Sequence, residues 1–156
     1  MKRLLTIFAV MLFGLAAGGL LLAQSDPFAG TWKLNLAKSK YDPGPAPQSQ
    51  TRTWDPSGKV SVEGINSAGK PMAYGYPVIT DSKDYPTTGA VPSGADTIAA
   101  KRIDANTIEV NFKKDGKHVE TTRFAVSKDG KIMTITAKGV DPKGQSFNNL
   151  VVWDKR

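Results

Sequence analysis

Short polar turns, nearly all carrying glycine, punctuate the chain from Pro56 to Gly144, and their spacing constrains the fold more than any other feature. They read Pro56-Ser57-Gly58-Lys59, Ser67-Ala68-Gly69-Lys70, Lys114-Asp115-Gly116-Lys117, Lys128-Asp129-Gly130-Lys131 and Asp141-Pro142-Lys143-Gly144. Glycine supplies the positive φ that hairpin loops require, and Asp or Ser bonds the adjacent backbone. Asp104-Ala105-Asn106 serves the same purpose, because Asn tolerates the left-handed conformation. Between the turns lie stretches rich in Val, Ile, Thr, Tyr and Phe, which predict strands near Gly30–Leu36, Gln50–Trp54, Lys59–Asn66, Met72–Ile79 and Tyr85–Thr88. Further strands are expected near Asp96–Ile103, Thr107–Lys113, His118–Val126, Ile132–Lys138 and Gln145–Trp153. Nine or ten strands at such regular spacing make an all-β, antiparallel up-and-down meander.

Alternation is clearest in Trp32/Leu34/Leu36, Met72/Tyr74/Tyr76/Val78, Ile108/Val110/Phe112 and Phe147/Asn149/Val151/Trp153. A sheet of that kind must bury one face, and closing it on itself removes its adhesive edges, so a β-barrel is expected. A two-sheet sandwich is the rival solution. Helical period is absent after the N-terminal run, apart from a short helix competing with the strand at Ser93–Ile103 and a helical turn at Ala37–Tyr41. The Asp42–Pro47 stretch, with prolines at 43, 45 and 47, is expected to be stiff and extended, since proline fixes φ and has no N–H.

Residues 1–23 have the layout of a signal peptide: Lys2 and Arg3, an apolar run from Leu4 to Leu22, then Ala23 as a small residue suited to cleavage. Residues 24–156 then form a single domain, exported to a periplasm or secreted. An uncleaved anchor is the alternative, because the run approaches the ~20 residues that cross a bilayer. After cleavage no stable membrane insertion is expected, and the domain is expected to be monomeric. The chain has no cysteine, which excludes disulfides, thiolate metal sites and a lipidated cysteine. Its formal charge is +7. Lysines at turns (Lys59, Lys70, Lys117, Lys128, Lys143) fit solvated hairpin tips and edge protection.

Phe28 followed by Gly30-Thr31-Trp32-Lys33-Leu34 resembles the first-strand Gly-x-Trp of the lipocalins and the "GTWKL" of the fatty-acid-binding proteins. Val152-Trp153-Asp154-Lys155 is similar to the final strand of the latter, and the whole resembles small exported bacterial proteins described as lipocalin-like. The resemblance implies a lipocalin-like barrel in which Trp32 packs across the floor and Gly30 lets the chain bend beneath it. It does not bring fatty-acid binding with it. Val151 and Trp153 stand where an Arg-x-Tyr clamp would lie, Lys38–Pro47 replaces the helical lid, and Asp84-Tyr85 only partly echoes the lipocalin Thr-Asp-Tyr. The terminal helix of the lipocalins has no counterpart.

Chemistry-bearing residues are few. One histidine, His118, sits at a hairpin exit, and no carboxylate pair is placed for acid–base work, so no catalytic residue, metal site or cofactor is expected. Nucleic acid is not expected as a partner of an exported chain with scattered lysines. Arg102 and Arg123 fall in mid-strand. Facing inward they would need an anion, and facing outward they would cover the sheet; Arg123 could also pack over Trp32. The reading is therefore a non-enzymatic barrel binding a small apolar or amphiphilic molecule, with Met72, Tyr74, Tyr76 and Phe112 lining the cavity and Arg123 as an anion contact. A cell-envelope interaction module that uses its lysine-tipped hairpins is the alternative.

Overall fold

The computed structural model describes residues 26–156, so the expected signal peptide lies outside the described residues. Eleven strands form: β1 (Gly30–Lys40), β2 (Ser49–Trp54), β3 (Lys59–Ile65), β4 (Pro71–Pro77), β5 (Asp81–Pro86), β6 (Thr88–Gly89), β7 (Thr97–Asp104), β8 (Thr107–Lys114), β9 (Lys117–Val126), β10 (Ile132–Val140) and β11 (Ser146–Lys155). Every pairing is antiparallel, in the single order β5-β7-β8-β9-β10-β11-β1-β2-β3-β4-β6. First and last strands therefore meet: Lys33 faces Asp154 and Leu34 faces Trp153 across β1 and β11. The meander is a nearly closed barrel, compatible with a lipocalin-like one.

The seam lies at Pro86–Thr88. Pro86 pairs with Thr97 on one sheet edge, and Thr88 pairs with Gly75 on the other. Thr87 stands between them; its N–H donates to Asp96 O at 2.9 Å and its hydroxyl to Ala95 O at 2.9 Å. Gly89 completes the crossing at φ +71°, a conformation that a side chain would strain. The sequence predicts one strand at Tyr85–Thr88. Two form instead, because backbone pairing to opposite neighbours splits the segment at Thr87. The short helix weighed at Ser93–Ile103 does not form: β7 lies between β5 and β8, where Ile98 and Ala100 fill the interior.

At Ala37–Tyr41 the chain is extended through Lys40 instead of helical. Asn35 faces Val152 while Lys40 faces Leu150, so several residues of β1 bulge against β11. Ser39 Oγ holds the bulge, donating to Asn35 O at 2.6 Å and accepting from Val152 N at 2.9 Å. The bulge ends the alternation of β1. Trp32 and Leu34 point inward as expected, but Leu36 is 42% exposed.

One end of the barrel is packed solid. Trp32 is fully buried, and its Nε1 donates to Phe28 O at 2.9 Å. Phe28 lies 4.9 Å from Trp54, which meets Phe124 edge-on at 5.5 Å. Lys155 Nζ sits 4.9 Å from the Trp32 ring, and Arg102 lies over Phe28 while pairing with Asp26 at 2.6 Å. Gly30 adopts φ +133° beneath Lys155, as a floor-closing bend requires. Gly30 and Trp32, expected at a barrel floor, lie at this packed end, and the cation over the Trp32 ring is Lys155, with Arg123 elsewhere. We expect Trp32→Ala to destabilise the fold by about 3–5 kcal/mol, the usual cost of emptying a buried aromatic site, as read from urea denaturation.

Candidate functional site

Alternation carries inward side chains up the barrel from this floor, and above it they no longer meet. A cavity of about 440 Å³ opens at the end carrying the Tyr41–Pro47 segment, the Asn66-Ser67 turn and the Val91-Pro92 loop. Met72, Tyr74 and Tyr76, expected from the sequence at a ligand cavity, line it from β4, and Phe112 lines it from β8. Tyr74 stacks on Tyr76 at 6.4 Å, and Tyr76 meets Phe112 edge-on at 5.2 Å. Phe147, Asn149 and Val151 complete the far wall from β11.

The expected arginine is not among them. Arg123 points outward from β9 and is half exposed, with its guanidinium 3.8 Å from Glu109 on β8. Its neighbours Thr122 and Phe124 point inward, and strict alternation leaves Arg123 on the opposite face. Arg102 is also on the rim, at the floor end. His118 is exposed, with Nε2 2.8 Å from Thr121 Oγ1. Among the described residues no group of three or more His, Asp or Glu side chains is placed to hold a metal ion.

Arg52 on β2 occupies the interior instead. It is 4% exposed, and NH1 donates to Tyr76 Oη at 2.8 Å. The guanidinium carbon lies 4.9 Å from the Trp153 ring and 5.4 Å from Phe124, a cation–π arrangement strengthened by exclusion of water. Arg52 Nε has no hydrogen-bond partner, and neither does the buried Trp153 Nε1. Beside Arg52 on β2, Gln50 donates from Nε2 to Met72 Sδ at 3.4 Å.

Glu120 on β9 is the inner of two acids lining the cavity, the other being Asp141 in the β10–β11 turn, and it accepts a hydrogen bond from the Thr122 hydroxyl. Burial raises its pKa above the usual carboxylate value; the Thr122 and Ser93 hydroxyls and the Arg52 charge oppose that rise without cancelling it. Burial likewise pushes the Tyr41 phenol up to about 12 and raises Tyr74 and Tyr76, with Arg52 the main opposing influence. Burial works against the Arg52 charge, yet Tyr76, Tyr74 and the hydrogen bond to Tyr76 hold its pKa above the ordinary value. At neutral pH the inner wall is thus neutral phenol, amide and hydrocarbon, with Arg52 and Glu120 set into it and Asp141 on the β10–β11 turn.

Sequence reasoning missed Arg52, Gln50, Glu120 and Thr122. The signal for Arg52 was alternation with Trp54: Gln50, Arg52 and Trp54 share a face. Two polar residues out of three make that face look solvent-exposed, which hid it. No protein-family model matches the chain, and no curated protein matches it.

Two pH responses follow from these shifts. The Glu120 pKa is raised on folding, so its ionised form costs stability at neutral pH, and that cost vanishes below the unfolded carboxylate range. Glu120→Gln is therefore expected to raise the denaturation midpoint at pH near 7, with the gain fading below about pH 4. For the phenols, the unfolded chain ionises first. Stability is then expected to fall as pH rises past about 10, and phenolate absorbance of the folded protein should appear later than that of the denatured chain.

Proposed function

We propose that the protein is a non-enzymatic, lipocalin-like carrier that takes a small apolar or amphiphilic molecule into the open half of its barrel. The observation that carries this reading is the asymmetry of the interior: solid aromatic packing at the floor, and a walled hollow of about 440 Å³ above it. Folded interiors normally close to near-crystalline density, so a hollow this large, held open by a continuous sheet, is a place kept for something else. Its volume lies within the range of small-molecule sites.

Binding in such a cup needs no chemistry. Removing a ligand methylene from water yields roughly 0.8 kcal/mol, and the preformed wall of Met72, Tyr74, Tyr76 and Phe112 needs little reordering to receive it. Raised phenol pKa values support the same reading, because the tyrosines stay uncharged and present hydroxyls only as orienting groups. Export through residues 1–23 belongs to this proposal. A soluble barrel outside the cytoplasm could pass an apolar molecule through water that would otherwise exclude it.

The test uses residues 24–156 and the neutral dye N-phenyl-1-naphthylamine. Fluorescence enhancement with saturable one-to-one binding is expected, as is a retained small molecule in native mass spectra of protein purified from its native host. Ala137→Phe, which projects a ring into the cavity from β10, is expected to abolish dye binding while leaving the circular dichroism unchanged. A wild-type barrel that neither enhances the dye nor carries a retained molecule overturns the reading.

A further inference from the structure

Deep in the cavity Arg52 is a cation without a counter-ion. Among the described residues none of the ion pairs within 4.0 Å includes it. Glu120 shares the cavity wall but lies outside that distance, and its Oε1 is engaged by Thr122. Buried guanidinium groups ordinarily face a carboxylate or phosphate, because removing an unpaired charge from water costs several kcal/mol. Here the planar group has five donors, of which one bonds Tyr76, and Nε has no partner. Trp153 and Phe124 pack against it and fix its position.

We propose that Arg52 is an anion-binding residue, and that the ligand is an amphiphile with a single negative charge that enters head first. This rests on the carrier reading above and names its ligand class. The direction follows from depth. Arg52 lies between Gln50, near the rim, and Trp54, on the floor, so the head passes the rim and settles low, beside Arg52 and Tyr76 Oη. The apolar body then lies against Met72, Tyr74 and Phe147, with its end at the mouth formed by Tyr41, the prolines and the Asp141 turn. One charge is favoured over two. Arg52 can neutralise one, and Glu120 on the same wall repels a second. The other ionisable groups facing the space are the neutral phenols of Tyr41, Tyr74 and Tyr76 and the carboxylate of Asp141, whose Oδ1 is held in the β10–β11 turn by the Lys143 and Gln145 N–H groups.

Calorimetric titration of residues 24–156 with dodecanoate and dodecanol, at about pH 8, separates the head group from the chain. Dodecanoate is expected to bind about tenfold or more tightly than dodecanol, the value of one charge-assisted contact. In Arg52→Gln the two are expected to bind alike, with dodecanol affinity within about twofold of wild type. Tyr76→Phe, which keeps the ring, is expected to remove part of the dodecanoate preference, so the dependence on this corner can be read even if Arg52→Gln does not fold. Equal affinity for the two probes in the wild type, alongside normal binding of the naphthylamine dye, overturns the Arg52 proposal and leaves the carrier reading intact. No binding of either probe or of the dye overturns both.

Discussion

The structure depends on one packing event, the aromatic floor. A hairpin meander has no local reason to close. Its strands pair only with chain neighbours until something brings the first strand beside the last. Trp32 on β1 and Trp153 on β11 supply that reason, since both are buried in the same core and their strands pair directly. Segment Asp26–Ala29 folds beneath them, where Phe28 is fully buried and its carbonyl accepts the Trp32 indole N–H. Without a disulfide, joining the chain ends in this way falls to hydrophobic burial, the β1–β11 ladder and the side-chain hydrogen bonds of Asn35 and Ser39 that cross it.

Once the floor is closed, circumference decides the rest. An eleven-strand ring is wider than its inward side chains can fill at every level, so packing is complete only where the largest residues collect. The three tryptophans collect low, with Phe28 and Phe124. Higher up, small or polar residues such as Ala137, Thr122 and Gln50 take the inward positions, and a hollow follows. The same geometry explains how Arg52 can be buried at all: the floor aromatics pack against its guanidinium, while the hollow above keeps it out of ion-pair distance of the acids on the wall.

Much of this architecture was legible along the chain, for local reasons. Hairpin turns are set by their own residues: Asp115 and Gly116, at φ +50° and +74°, give the paired left-handed conformation that two-residue loops need. The inward faces of β4, β8 and β11 were also legible, because alternation there is nearly free of polar interruption. Less legible were places where a neighbour overrides the local signal. Leu36 continues an apolar face in sequence yet emerges into solvent, because β1 bulges against β11. Thr87 looks like the interior of one strand, yet it separates two that pair in opposite directions.

Charged side chains mark the boundary most sharply. Sequence alone determined an all-β meander, its turns, a tryptophan at its base and an aromatic stripe on β4, since each is written in periods of two or in residues with special backbone preferences. Which arginine lies inside was decided only by tertiary structure. Arg123 and Arg52 are both mid-strand arginines that follow a threonine, and strand propensity does not distinguish them. What separates them is which face of the closed ring each occupies and what stands opposite: Glu109 and water for one, Tyr76, Trp153 and an enclosed hollow for the other. A cation's surroundings are contributed by distant strands, so its role exists only once the sheet has closed around it.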